Sequence, residues 1–365
     1  MTQKHYIVPA RTSSTTRLAV LTLMIVASFI IDLAGGQVSK QLQQKAAAVE
    51  KSYRVKSDIY HHGLGANQSI PDAVWGSRRY ALVTNHLGFK DATPREVPLK
   101  ISNHRIVFIG DSFTEGVGVD YPDTYVGRIA AALKDQNVDV LNAAVAGYSP
   151  MLYLAKIRHL VEDLGLTFDE LFVAIDISDP SDDIGYHKIG KYETDRPATP
   201  KASVQGVKDF ISENTVLTHF VLKQAKDLVE PPRDTESWRS RWTDEGGYLN
   251  HHTLGLELNS KNMNELAALM SQKGIRLTVA VYPHPRQIRA GKLDSPPVTH
   301  WRQWASEHGA GFVDLFPRFI NQTAWHEVVD TYFIPGDVHL NENGHAIFAD
   351  AFLEYIGSRD RPRRK

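Results

Sequence analysis

Three residue types that together activate a hydroxyl stand at two distant places in this chain. Residues 105–116 read Arg-Ile-Val-Phe-Ile-Gly-Asp-Ser-Phe-Thr-Glu-Gly, an apolar run that stops at Gly110 and presents Asp111 and Ser112. Far downstream, residues 336–345 read Gly-Asp-Val-His-Leu-Asn-Glu-Asn-Gly-His, with Asp337 and His339 two positions apart. A serine hydroxyl is a weak nucleophile at neutral pH and needs a base within hydrogen-bond reach. His339 is the expected base. On an extended segment, residues i and i+2 project to one side, so Asp337 can fix the imidazole tautomer and stabilise imidazolium. The chemistry this predicts is acyl transfer through Ser112, with no metal and no cofactor. A helix beginning at Ser112 would also aim backbone amides at an acyl oxygen, and Gly147 could bring a second amide close.

The two blocks resemble those of the SGNH/GDSL hydrolase family. Its first block appears as Gly110-Asp111-Ser112-Phe113-Thr114-Glu115-Gly116, and its last as Asp337-Val338-His339 with Asn341 and Gly344 after it. One residue separates Asp from His rather than the commoner two, as in some membrane-associated and polysaccharide-modifying branches. The second block looks like Leu141-Asn142-Ala143-Ala144-Val145-Ala146-Gly147. The resemblance implies a three-layer α/β/α sandwich on a five-stranded parallel sheet, flavodoxin-like in plan, and a serine esterase. It also implies an oxyanion hole from the amides of Ser112 and Gly147 with a third donor from an asparagine. That third block departs from Gly-x-Asn-Asp and reads Asp176-Ile177-Ser178-Asp179, which puts Ser178 in the donor's place and makes Asn142 a substitute. Losing one oxyanion donor costs about 10² to 10³ in turnover.

Relatives of this branch carry stretches similar to Tyr60-His61-His62 and Thr84-Asn85-His86-Leu87-Gly88-Phe89 ahead of the first block. The likeness implies that His61, His62 and Asn85 pack around the site. The turn Tyr282-Pro283-His284-Pro285 ends a strand at the same edge, so Tyr282 and His284 are further candidates for substrate contact. His61 and His62 with Asp58, His86 and Asp91 also suggest a metal site, but they lack regular ligand spacing.

The elements that must position these residues alternate, as a parallel sheet requires. Short β-branched and aromatic runs predict strands at 106–109, 138–142, 171–176, 276–282 and 311–315. Helices are expected at 124–134, 152–162, 259–273 and 342–356. The hydrolase-like domain then spans 101–358, with an insertion at 180–255 that partly covers the site and contains a helical stretch at 215–229. Trp238 and Trp242 in it could stack on a sugar, although four-residue spacing also suits packing. Apolar residues at three- and four-residue spacings make 37–56 an amphipathic helix. With the loop-rich segment at 57–100 it forms an N-terminal extension, and 359–365 is a basic tail.

Residues 1–17 carry Lys4, Arg11 and Arg17 and no acid, and 18–31 is nearly all apolar. The span 18–36 is long enough to cross a bilayer core about 30 Å thick. It is read as an uncleaved anchor with 1–17 as a cytoplasmic tail; Ala34-Gly35-Gly36 keeps a cleaved signal peptide open. The large domain would then be periplasmic or extracellular. Hydrophobic content of 42% suits a buried core, and a net charge of −1 gives no support for a nucleic-acid partner. Absence of cysteine excludes disulfides and a thiol nucleophile. The expected partner is a small-molecule, lipid or glycan acyl ester. Two alternatives stand beside the esterase: an O-acetyltransferase modifying a cell-surface polysaccharide, and a non-catalytic binding protein on a degenerate scaffold.

Overall fold

The computed structural model describes residues 48–189 apart from 77, then 242–243, 249–320 and 323–359, with 23, 24, 26–28 and 30 near the N-terminus. The chain divides into two compact units, 1–47 with 197–235 and 48–196 with 236–365. In the first, the described residues are helical, and Leu23, Met24, Val26 and Ile30 are exposed. The rest of the expected membrane span at 18–36 lies outside the described residues, as do the expected helix at 215–229 and Trp238. Among the described residues, no helix is long and apolar enough to cross a membrane.

In the second unit the segment expected to be loop-rich is two antiparallel hairpins. Strand β1 (Arg54–Ser57) pairs with β2 (His61–Leu64), and β3 (Ser69–Trp75) with β4 (Arg78–Val83). The helix expected to run to 56 stops at 53. Tyr53 sinks into the core there, and Arg54 turns to meet the buried Glu115, a distant partner that local periodicity cannot encode. β3 escapes an alternation test because the register shifts between Ile70 and Ala73, around Pro71 and Asp72.

The sheet follows: β5 (Arg105–Ile109), β6 (Asp139–Asn142), β7 (Glu170–Ile175), β8 (Arg276–Val281) and β9 (Gly311–Asp314). All pairs are parallel, in the order β6-β5-β7-β8-β9. Helices α1 (Ser112–Glu115), α2 (Tyr125–Leu133), α3 (Pro150–Arg158), α4 (Asp179–Ile189), α5 (Leu249–Lys273), α6 (Pro285–Ala290), α7 (Pro296–Glu307), α8 (Phe316–Phe319), α9 (Trp325–Tyr332) and α10 (Glu342–Arg359) flank it. Successive strand residues face opposite layers. Val107, Ile109, Leu171, Val173 and Val279 join a core with Leu152, Leu266 and Trp301 of α3, α5 and α7. Ile106, Phe108, Phe172 and Ala280 join the other with Ile129 and Phe352 of α2 and α10. The expected three-layer α/β/α sandwich is therefore present, and its five strands match the expected ones.

The expected insertion at 180–255 is helical at its described ends. α4 starts at Asp179 and α5 at Leu249, ahead of the expected 259. Asp179-Pro180-Ser181-Asp182 reads as a loop in composition, yet proline and acids in a first turn favour helix starts. Buried Asn259 and Asn262 of α5 both donate to Asp183 of α4, at 2.8 and 3.0 Å. Trp242 is buried, and its indole N–H donates to the Ile177 carbonyl at 2.6 Å, so it packs rather than presenting a free face.

Strand β5 lies between β6 and β7, so the chain leaves it to one side and later returns to the other. Open α/β sheets have their crevice outside the strand ends at such a reversal.

Candidate active site

Ser112 opens α1 immediately beyond β5, where Asp111 caps the helix by accepting from the Phe113 amide at 2.9 Å. The hydroxyl of Ser112 lies 2.8 Å from His339 Nε2. His339 Nδ1 lies 2.6 Å from Asp337 Oδ1. A carboxylate only accepts, so Nδ1 carries the proton and Nε2 presents its lone pair to the serine. Burial disfavours charge on Asp337, but the hydrogen bond and charge of His339 and the amides of Val338 and His339 outweigh it, lowering its pKa to about 2. The carboxylate is thus ionised at neutral pH and stabilises positive charge on the imidazole. The three expected residues meet.

A fourth residue in this line was not legible in the sequence. Trp75, at the end of β3, donates its indole N–H to Asp337 Oδ2 at 3.0 Å. Its ring also meets the His339 ring edge-on at 4.9 Å. On the other side Phe113 lies 4.9 Å from His339 and stacks on His284 at 4.9 Å. The imidazole is therefore held by rings as well as by its hydrogen bonds.

The amides of Ser112 and Gly147 have no hydrogen-bond acceptor among the described residues. Gly147 sits at φ +83°, a backbone region open to glycine. Ser178 points elsewhere: its hydroxyl donates to Asp182 Oδ2 at 3.0 Å, and its amide to Asp176 Oδ1 at 2.6 Å. It caps the turn into α4. Asn142 is spoken for as well, with its amide group donating to the Thr114 carbonyl at 2.7 Å and its oxygen accepting from Ala144 N at 3.2 Å.

Beneath the serine lies a buried acidic layer. Burial and the neighbouring Asp176 push the Asp111 carboxyl well above the usual range. Asp176 is buried too, but the charge and hydrogen bond of His284 at 2.7 Å hold it below that range. Tyr282 donates to Asp111 at 3.2 Å and is fully buried. Tyr282 and His284 therefore support Asp111 and Asp176 and are not open to a substrate, contrary to expectation. Asn85 is likewise buried, its oxygen taking the Leu87 and Phe89 amides and its amide group donating to Asp91. That turn lays Lys90 against Asn142 at the β6 edge. The edge is covered as a result.

His61 and His62 lie beside the second block. His62 Nε2 is 2.9 Å from the Ala146 carbonyl, and an added Cβ at Gly147 would come 3.8 Å from His62 Nε2. His86 and Asp91 are drawn into other bonds, to Val97 N and Arg95. Among the described residues, no group of three or more His, Asp or Glu side chains is arranged for a metal.

No protein-family model matches the chain, and no curated protein does. Among solved structures, an α/β hydrolase from the metagenome of Lake Arreo, Spain, matches at 16% identity and a TM-score of 0.41, covering 72% of this chain and 99% of that one. A catalytic mutant of an acetylxylan esterase from Geobacillus stearothermophilus matches at 16% and 0.39, over 71% and 97%. A GDSL-like lipase from Bacteroides thetaiotaomicron matches at 14% and 0.38, over 72% and 93%. At these values the assignment of fold rests on this chain's own strand order and register.

Proposed function

We propose that this chain is an SGNH-type serine esterase that removes ester-linked acyl groups, held at a membrane by residues 18–36 with its catalytic domain on the periplasmic or extracellular side. The observation that carries the chemistry is the unbroken line Asp337–His339–Ser112, at 2.6 and 2.8 Å. The motifs that resemble the SGNH/GDSL family support the class of reaction. The basic tail before an apolar stretch supports the anchor.

In this reading Ser112 Oγ attacks the ester carbonyl while His339 Nε2 takes its proton. The carbonyl electrons move onto oxygen, which the Ser112 and Gly147 amides receive. His339 returns the proton to the departing alcohol, leaving acyl-Ser112. A water gives its proton to His339 and attacks the acyl carbon, and collapse releases the carboxylic acid and restores the serine. Asp337 stays ionised throughout and holds the imidazole in its working tautomer.

The test is a fluorophosphonate probe and a chromogenic acetate ester, each with the wild type and Ser112→Ala. Labelling and acetate release that both vanish in the variant support the reading. A wild type that neither labels nor hydrolyses refutes it and favours a binding protein. Faster consumption with an added oligosaccharide, with acetylated sugar as product, would assign the acyl-enzyme to transfer instead.

A further inference from the structure

We infer that the N-terminal hairpin orients the oxyanion amide: His62, with Glu115 and Arg54 behind it, fixes the peptide between Ala146 and Gly147. This rests on the acyl-transfer reading above. The carbonyl end of that peptide, Ala146 O, lies 2.9 Å from His62 Nε2. A carbonyl cannot donate, so Nε2 carries the proton. His62 Nδ1 lies 2.8 Å from His61 Nδ1 and must accept there in the neutral ring. The hydrogen bonds therefore run one way, from His61 to His62 to Ala146.

The flanking groups are held as well. Ala146 N donates to Glu115 Oε2 at 2.6 Å, and Gly147 O accepts from Tyr186 at 2.6 Å. Glu115 is fully buried on α1, the helix that Ser112 opens, and Arg54 of β1 meets both its oxygens at 3.1 and 3.2 Å. One carboxylate thus ties the nucleophile's helix to the second block. In a trans peptide the C=O of Ala146 and the N–H of Gly147 point opposite ways. Holding the carbonyl on His62 turns the Gly147 N–H away from the hairpin, and no described residue accepts it. A glycine peptide flips readily when nothing holds it. His62 does not touch the reacting atoms in this account; it is a positioning residue.

The test uses the full-length protein with His62→Phe, which keeps a ring without a donor, and His62→Gln, which restores one. Hydrolysis of p-nitrophenyl acetate, inhibition by a trifluoromethyl ketone, thermal melting and the ¹⁵N–¹H resonance of Gly147 are measured. His62→Phe should lower kcat by about 10²-fold at little change in KM and weaken the ketone, which forms an oxyanion, by a similar factor. It should shift the Gly147 resonance, and His62→Gln should recover much of each loss. Unchanged kcat and ketone affinity, or a loss shared by KM and melting alone, would overturn the inference. An inert wild type would refute the esterase reading instead. The Gly147 resonance then decides alone: a shift in His62→Phe that reverses in His62→Gln supports the fixed peptide, and no shift overturns it.

Discussion

Replacing Asp337 by asparagine should leave the His339 tautomer intact, and the reason lies in how many donors the carboxylate serves. Oδ1 accepts from His339 Nδ1 at 2.6 Å, Val338 N at 2.6 Å and His339 N at 3.2 Å, while Oδ2 accepts from the Trp75 indole at 3.0 Å. Asparagine offers one oxygen and one amino group. With its oxygen toward the three donors, only the indole N–H faces an amino group; in the reverse orientation three donors do. Each opposed or unmet donor costs about 1–3 kcal/mol, so the first orientation wins. The imidazole keeps its Nδ1 proton and loses only the charge beside it. The fall in kcat should stay short of the roughly 10⁴-fold that accompanies a reversed tautomer.

Adding Trp75→Phe measures how strongly the indole and residue 337 are coupled. In the wild type this change removes a hydrogen bond to a charged acceptor, about 1–2 kcal/mol at this half-buried position. In the Asp337→Asn background it removes a donor–donor opposition, so its effect should reverse in sign, giving a coupling of about 2–5 kcal/mol. Urea denaturation of the four proteins measures it, and imidazole ¹⁵N shifts report the tautomer. Equal costs of Trp75→Phe in both backgrounds, or a proton moved to Nε2, would rule out an asparagine oxygen facing the three donors.

Other consequences follow from buried charge and close approach. Lys156 is buried among the rings of Tyr60, Phe89 and Tyr148, and burial pushes it down from 10.5 to about 7. Lys156→Met should therefore stabilise the fold at neutral pH. Between pH 7 and 10.5 residue 156 binds more proton in the unfolded chain than in the folded one, so its own penalty on the fold is relieved as pH rises and the variant's advantage shrinks by roughly 3–5 kcal/mol. A gap between the two proteins that does not change with pH would contradict this. Arg54→Met leaves Glu115 buried without its guanidinium and should cost about 3 kcal/mol in denaturant, with Glu115→Gln in the same chain restoring part of the loss. Gly88→Ala would drive a Cβ into the Leu64 carbonyl at φ +71°, so it should lower the melting temperature by several degrees and expose the 54–90 segment to protease.

The centre of the sheet could be read from the chain because Ile-Val-Phe-Ile at 106–109 and Leu-Phe-Val-Ala-Ile at 171–175 are continuous apolar runs that two-sided burial explains. Ser112, Asp337 and His339 could be read because a hydroxyl nucleophile constrains residue type and placement together. Trp75 could not. Its role depends on a partner far along the chain, and a lone tryptophan in a strand carries no mark of it. The hairpins escaped for a similar reason: Arg-Val-Lys-Ser at 54–57 is neither apolar nor alternating, and its place is decided by Glu115. Ser178 shows the opposite failure, in which a position matched by alignment is claimed by a nearer partner, Asp182.

The serine and its histidine are separated by 227 positions, and Trp75 reaches Asp337 across 262. During synthesis the hydroxyl therefore leaves the ribosome long before its base exists. A chain cut short anywhere before residue 337 carries an alcohol without the imidazole and carboxylate that would activate it, so it cannot attack an ester early. On the proposed esterase reading, reactivity arrives only once residues 337–339 have been made and folded beside Ser112, so synthesis of that stretch acts as a safety catch.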